Sequence, residues 1–231
     1  MAKNSKISLR KEEIWGGILY FPFYIALTSM AIQWIFQSLG APLNLFQLNV
    51  AVFAVNFLAI AVIFRHYLAA SFHQVTSHFG LFLQAVTLAV VYYLAVVWLF
   101  NRLIGLLPVQ LENGNNDQVI QMLENHPAVM VMCTCLLASV VEECLFRGLI
   151  FGSLREKSRI LAYILSTLGF ALLHVWAFIG QYSPLNLLLV TASYLPAGLF
   201  LGWAFEKSGT IRGSILAHAI INLVACIQNL S

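Results

Sequence analysis

The stretch PAVMVMCTCLLASVVEECLFRGLIF, residues 127–151, decides the fold. At 1.5 Å per residue an apolar run of this length crosses the roughly 30 Å hydrocarbon core of a bilayer as a helix. Yet Glu142, Glu143 and Arg147 lie inside it. A charged side chain at the centre of a span costs about 2.5–3.5 kcal/mol on insertion scales, so such residues are functional or tightly paired.

The surrounding chain has the same character. Of 231 residues, 61% are hydrophobic and 9% charged, and the mean hydropathy is +0.86, whereas soluble domains carry about 25% charged residues. So few polar side chains exclude a soluble domain of any size. The composition predicts an all-α polytopic transmembrane helical bundle, one membrane domain over 1–231, with N-terminal spans in 1–105 and the charged helices in 127–230. Cys133, Cys135, Cys144 and Cys226 lie in apolar runs without metal-ligand spacing and read as small packing residues, with Cys144 placed to line a cavity at the acidic pair.

Seven spans are expected, within a range of six to eight: Ile14 to about Leu39, Phe46–Phe64, Phe79–Phe100, Pro127–Phe151, Ile160 to about Ile179, Pro184–Phe205 and Ile215–Leu230. The first is too long for a signal peptide core and reads as retained. Arg65 to His78, with His66 and His73, reads as an amphipathic connection along the membrane surface. Leu106 to Asn125, rich in Asn, Glu and Asp, reads as an exposed loop. With the N-terminus cytoplasmic, Lys3, Lys6, Arg10, Lys11, Arg65, Arg155, Lys157, Arg159, Lys207 and Arg212 all fall on the cytoplasmic side and only Arg102 on the other, in keeping with the positive-inside rule.

On a helix, i and i+4 share a face, so Glu143 and Arg147 pair and Glu142 points elsewhere, without a partner on its own helix. Two later spans carry polar intrusions at the same spacing, Phe170 with His174 and His218 with Asn222. A spare carboxylate, two histidines and an amide supply what hydrolysis needs: a base for water and donors for an oxyanion. Counted from the cytoplasmic helix ends, Glu142 lies about 15 Å deep, His174 about 20 Å and His218 about 5–10 Å, which places a site in the inner half or near the midplane.

Glu142-Glu143-x-x-x-Arg147, Phe170-x-x-x-His174 and His218-x-x-x-Asn222, in this order between about Cys133 and Ala225, resemble the CPBP family of intramembrane proteases (CAAX-processing and bacteriocin-processing, or Abi). The resemblance implies a multi-pass endopeptidase of a bacterial plasma membrane with its active site facing the cytoplasmic side. It implies that Glu142 activates water with His174 assisting, that His218 and Asn222 stabilise the oxyanion, that Glu143 and Arg147 brace the helix, and that Phe170 is structural. The family is also described as metalloproteases. The HExxH zinc signature is absent, so two options stand: Zn2+ held by Glu142, His174 and His218, or a metal-free glutamate mechanism. The implied partners are membrane lipid and a lipidated or membrane-anchored peptide or protein, with no nucleic acid. Two other functions fit the residues less closely: a non-catalytic immunity or scaffold protein of the same fold, and a proton-coupled carrier, for which the chain lacks paired half-repeats.

Overall fold

The computed structural model describes residues 8–230, so the expectations placed on Lys3 and Lys6 lie outside the described residues. Among the described residues nine helices follow one another and no strand occurs: α1 Lys11–Ser38, α2 Leu45–Ile63, α3 Arg65–Ser77, α4 Phe79–Ile104, α5 Gly114–Asn125, α6 Pro127–Leu154, α7 Arg159–Leu173, α8 Pro184–Ser208 and α9 Ile211–Leu230. Six of them, all but α3, α5 and α7, are long and apolar enough to span a membrane. The chain is an integral, multi-pass membrane protein. Its outer surface carries large apolar side chains such as Trp15, Trp34, Leu58 and Ile160, as a lipid-facing surface must.

Local chemistry sets the helix ends. Asn44 caps α2, accepting from the Gln47 amide at 2.9 Å while the Gln47 side chain accepts from the Asn44 amide. Pro127 and Pro184 open α6 and α8 at positions where a missing N–H costs nothing. Gly209, at φ 70°, closes α8 in the left-handed conformation that glycine adopts without a steric penalty.

Two segments differ from expectation. Residues 114–125 form a helix rather than a loop. Asn113 caps it, and Met122 and Leu123 bury against Met130, Cys135 and Cys226, so a short apolar stripe outweighs the run of asparagines before it. The fifth apolar segment ends at Leu173, short of Ile179, and turns through Trp176–Phe178 and Gly180, where φ is 87°. Its 15 residues give a length of about 22 Å, short of a full crossing, and His174 therefore sits at a helix end.

α8 packs against α4, α7 and α9, and Phe64, Phe146, Phe151, Phe170, Leu201 and Ile211 form the core around it. The two ends of the bundle differ in charge. At one, Glu13 accepts from the Tyr67 amide at 2.8 Å, Arg212 donates to Ser71 and to the Leu68 carbonyl, and Arg159 pairs with Glu206, which joins the start of α1, helix α3 and the α8–α9 turn. At the other, Phe46 stacks on His126 at 3.7 Å, the Asn186 amide donates to the Glu112 carbonyl at 2.8 Å, and α5 packs on the end of α9.

Candidate active site

α6 supplies the acids, and it is not a uniform helix. The hydrogen bonding widens to the i→i+5 pattern over Met132–Ala138 and again over Cys144–Phe151, with one α-helical turn, Ser139–Glu143, between them. Such widened turns recur at functional sites because they re-aim side chains and free carbonyls. Both glutamates lie in that α-helical turn, where successive side chains point about 100° apart. Glu143 is fully buried and Glu142 faces a cavity of about 320 Å3.

Glu143 anchors the site. Its Oε1 accepts from Arg147 Nη1 at 3.0 Å, the expected i, i+4 pair, and from His218 Nδ1 at 2.9 Å. Arg147 donates through Nη2 to the carbonyls of Gly198 at 3.0 Å and Ala197 at 3.5 Å, and its guanidinium lies 4.5 Å from the centre of the Phe170 ring. One buried ion pair thus holds α6, α8 and α9 together and sets the orientation of a histidine. Phe170 is a packing residue, edge-on to His218 at 5.7 Å.

Both histidines turn the same atom toward Glu142. His174 Nδ1 meets the Phe170 carbonyl at 2.8 Å. A carbonyl only accepts, so this nitrogen carries the proton. The Glu143 carboxylate imposes the same arrangement on His218. The two Nε2 atoms then stand 4.0 Å (His174) and 3.9 Å (His218) from Glu142 Oε2, which has no hydrogen-bond partner. Three atoms from three helices converge on one point, at the spacing a bridging water spans. Asn222 lines the same cavity, one N–H donating to the Thr134 carbonyl at 2.8 Å in the widened turn.

The seven residues expected from the sequence meet here, with Glu142, His174, His218 and Asn222 on the cavity wall and Glu143, Arg147 and Phe170 behind it. Others were not anticipated. Tyr24 of α1 faces Glu142, and Asn56 of α2 lines the cavity while accepting from the Tyr20 hydroxyl at 2.8 Å. Tyr194 of α8 stacks on His174 with ring centres 4.3 Å apart. Its hydroxyl donates to Asn113 at 3.1 Å and accepts from Asn115 at 3.2 Å, which ties α5 to His174. Cys226, rather than Cys144, lines the cavity, since Cys144 turns into the core.

The triad of Glu142, His174 and His218 does not fit a tetrahedral zinc set as it stands. Ligands held at about 2.0–2.2 Å lie roughly 3.3 Å apart, closer than the 3.9 and 4.0 Å seen here. No group of three or more metal-binding side chains is spaced to hold an ion among the described residues.

The cavity opens at the end bearing α5. Glu142 lies at its floor, and the half-buried Asn49 and Asn115 and the exposed Asn116 and Asn229 lie toward the end where α2 and α5 begin and α9 finishes. That end is opposite the one carrying Arg155, Lys157, Arg159, Lys207 and Arg212. A cytoplasmic N-terminus and a cytoplasm-facing site, both expected from the sequence, therefore exclude each other.

The comparison with protein families decides the kinship: residues 124–224 match the model of Rce1-like proteins, described as type II CAAX prenyl endopeptidase Rce1-like. Over these residues, less than half of the chain, the protein is similar to the CAAX protease (CPBP) family. All seven motif residues fall in the matched part, and the similarity points to a protease in the broad sense. No curated protein and no solved structure matches the chain.

Proposed function

We propose that the chain is an intramembrane endopeptidase that hydrolyses a peptide bond of a membrane-associated polypeptide with water activated by Glu142. The observation that carries this reading is the convergence of Glu142 Oε2 with the Nε2 atoms of His174 and His218 at the floor of a cavity. Water seated there gives one proton to Glu142 and is held by His174 through the other. Its oxygen bonds to the scissile carbonyl carbon, and the carbonyl electron pair moves onto oxygen. The second N–H of Asn222 faces that charge, joined by Nε2–H of His218 when its ring carries both protons, Nδ1–H still donating to the Glu143 carboxylate. Collapse of the adduct breaks the C–N bond, and the proton held on Glu142 passes to the leaving amine.

The lining suits a polypeptide. Asn49, Asn56, Asn115, Asn116, Asn222 and Asn229 offer amide donors and acceptors to an extended backbone, and no Lys or Arg is among the lining residues. With no such cation in the lining, an acidic side chain has no partner there, so the substrate is a segment without acidic residues, lipidated or anchored nearby. The test is cleavage of the peptides that accumulate in cells carrying Glu142→Gln: purified wild-type protein cuts them and the variant does not. Equal cutting by both removes Glu142 from the mechanism.

A further inference from the structure

The geometry points to a cavity that receives its substrate from the extracytoplasmic side of the membrane, which makes the substrates polypeptide segments already exposed on that side, in place of cytoplasmic proteins. This deepens the peptidase reading and rests on it for the word substrate, while the orientation stands on charge and topology alone.

Three observations combine. First, the ends of the bundle are fixed by contacts. Glu13 with Tyr67, Arg212 with Ser71 and Leu68, and Arg159 with Glu206 collect the α1 start, the α2–α3 junction, the α6–α7 turn and the α8–α9 turn at one end. Second, that end holds Arg10, Lys11, Arg65, Arg155, Lys157, Arg159, Lys207 and Arg212, whereas the far end has Arg102 against Glu112, Asp117 and Glu124. The connections at the basic end are short, the condition under which Lys and Arg determine orientation, so this end is cytoplasmic. Third, the cavity runs the other way. On the basic side of Glu142, Phe146, Arg147 and Phe170 are buried to 2% exposure or less and close the floor, whereas exposure returns at Asn116 and Asn229 on the far side. A cytoplasmic mouth would require the whole basic set to face outward.

Helix α5 gains a role in this arrangement. It is amphipathic, caps the mouth, and connects through Asn113, Asn115 and Tyr194 to His174. A segment arriving along the outer interface meets it before it meets Glu142.

The test is cysteine accessibility in intact cells expressing the full chain. The background carries Cys226→Ala, because that thiol lines the cavity; the other three cysteines are buried. Gln118→Cys, on the exposed face of α5, and Lys157→Cys, in the α6–α7 turn, are treated separately with a membrane-impermeant maleimide. The expected result is labelling of Gln118→Cys in intact cells and of Lys157→Cys only after lysis. The reverse pattern overturns the inference, as does equal labelling of both in intact cells. The readout needs no proteolysis, so a failure of the peptidase reading leaves it intact. Cleavage by detergent-solubilised protein is in turn blind to orientation, so the two failures are distinguishable.

Discussion

Replacing Arg147 by Met tests whether the buried pair organises the site. The guanidinium is wholly buried, bonds Glu143 at 3.0 Å and the Gly198 carbonyl at 3.0 Å, and lies over Phe170. Methionine fills much of the volume but leaves the Glu143 carboxylate without its cation at zero exposure. Breaking a buried pair from one side costs about 3–5 kcal/mol, most of it the penalty of stranding the remaining charge. For a chain of this size each kcal/mol moves the midpoint by about 2–4 °C, so a fall of roughly 6–20 °C is expected. Thermal unfolding of purified protein in one detergent, followed by tryptophan fluorescence, measures it. The companion variants are Glu143→Gln and the double substitution. The structure predicts that the double variant is less destabilised than the two singles added together, because neither charge is then stranded. A single variant within 2 °C of wild type, or strictly additive losses, would show that the pair does not organise the site.

Further outcomes follow from the same contacts. Gly198→Ala is expected to lose about 1–3 kcal/mol, since a Cβ there would stand 2.8 Å from Thr167 Cγ2 and 2.9 Å from its Cα; denaturation midpoints in detergent check it. Tyr194→Phe keeps the ring on His174 but removes the hydroxyl that holds Asn113 and Asn115, so KM should rise with kcat little changed. Tyr194→Ala, which also unstacks His174, should lower kcat as well. Because the spacing of the two imidazoles and Glu142 does not fit zinc, chelator-treated protein shown by elemental analysis to be zinc-free should cleave as before, and activity restored only by added metal would contradict the glutamate mechanism.

Much of the site could be read from residue spacing. Glu143 and Arg147 pair as i, i+4 neighbours must, and the division of roles between Glu143 and Glu142 follows from their successive positions on a helix. The depth estimates scattered because they assumed straight helices with ends set by hydropathy. The widened turns in α6 and the early end of α7 at Leu173 bring His174 and His218 to one carboxylate. Tyr24, Asn56 and Tyr194 escaped notice because a single polar residue in a span has no periodic partner to mark it. The bond from His218 to Glu143, 75 positions apart, has no local signal. Helix α5 was obscured by Asn113, Asn115 and Asn116, yet its stripe of Val119, Met122 and Leu123 is the helical pattern a shorter window detects. The direction of the cavity depended on which end of the bundle α5 covers, a fact of packing that span counting does not contain.

The role of Glu142 as the base is measured by hydrolysis by the purified full chain in liposomes, compared between wild type and Glu142→Gln, with folding of both verified by their unfolding midpoints. Removing a positioned general base lowers turnover by about 10²–10⁴-fold. A loss of that size is expected for Glu142→Gln, with a midpoint unchanged or raised, because Glu142 Oε2 gives up no hydrogen bond. Undiminished cleavage by a folded Glu142→Gln protein would contradict that role.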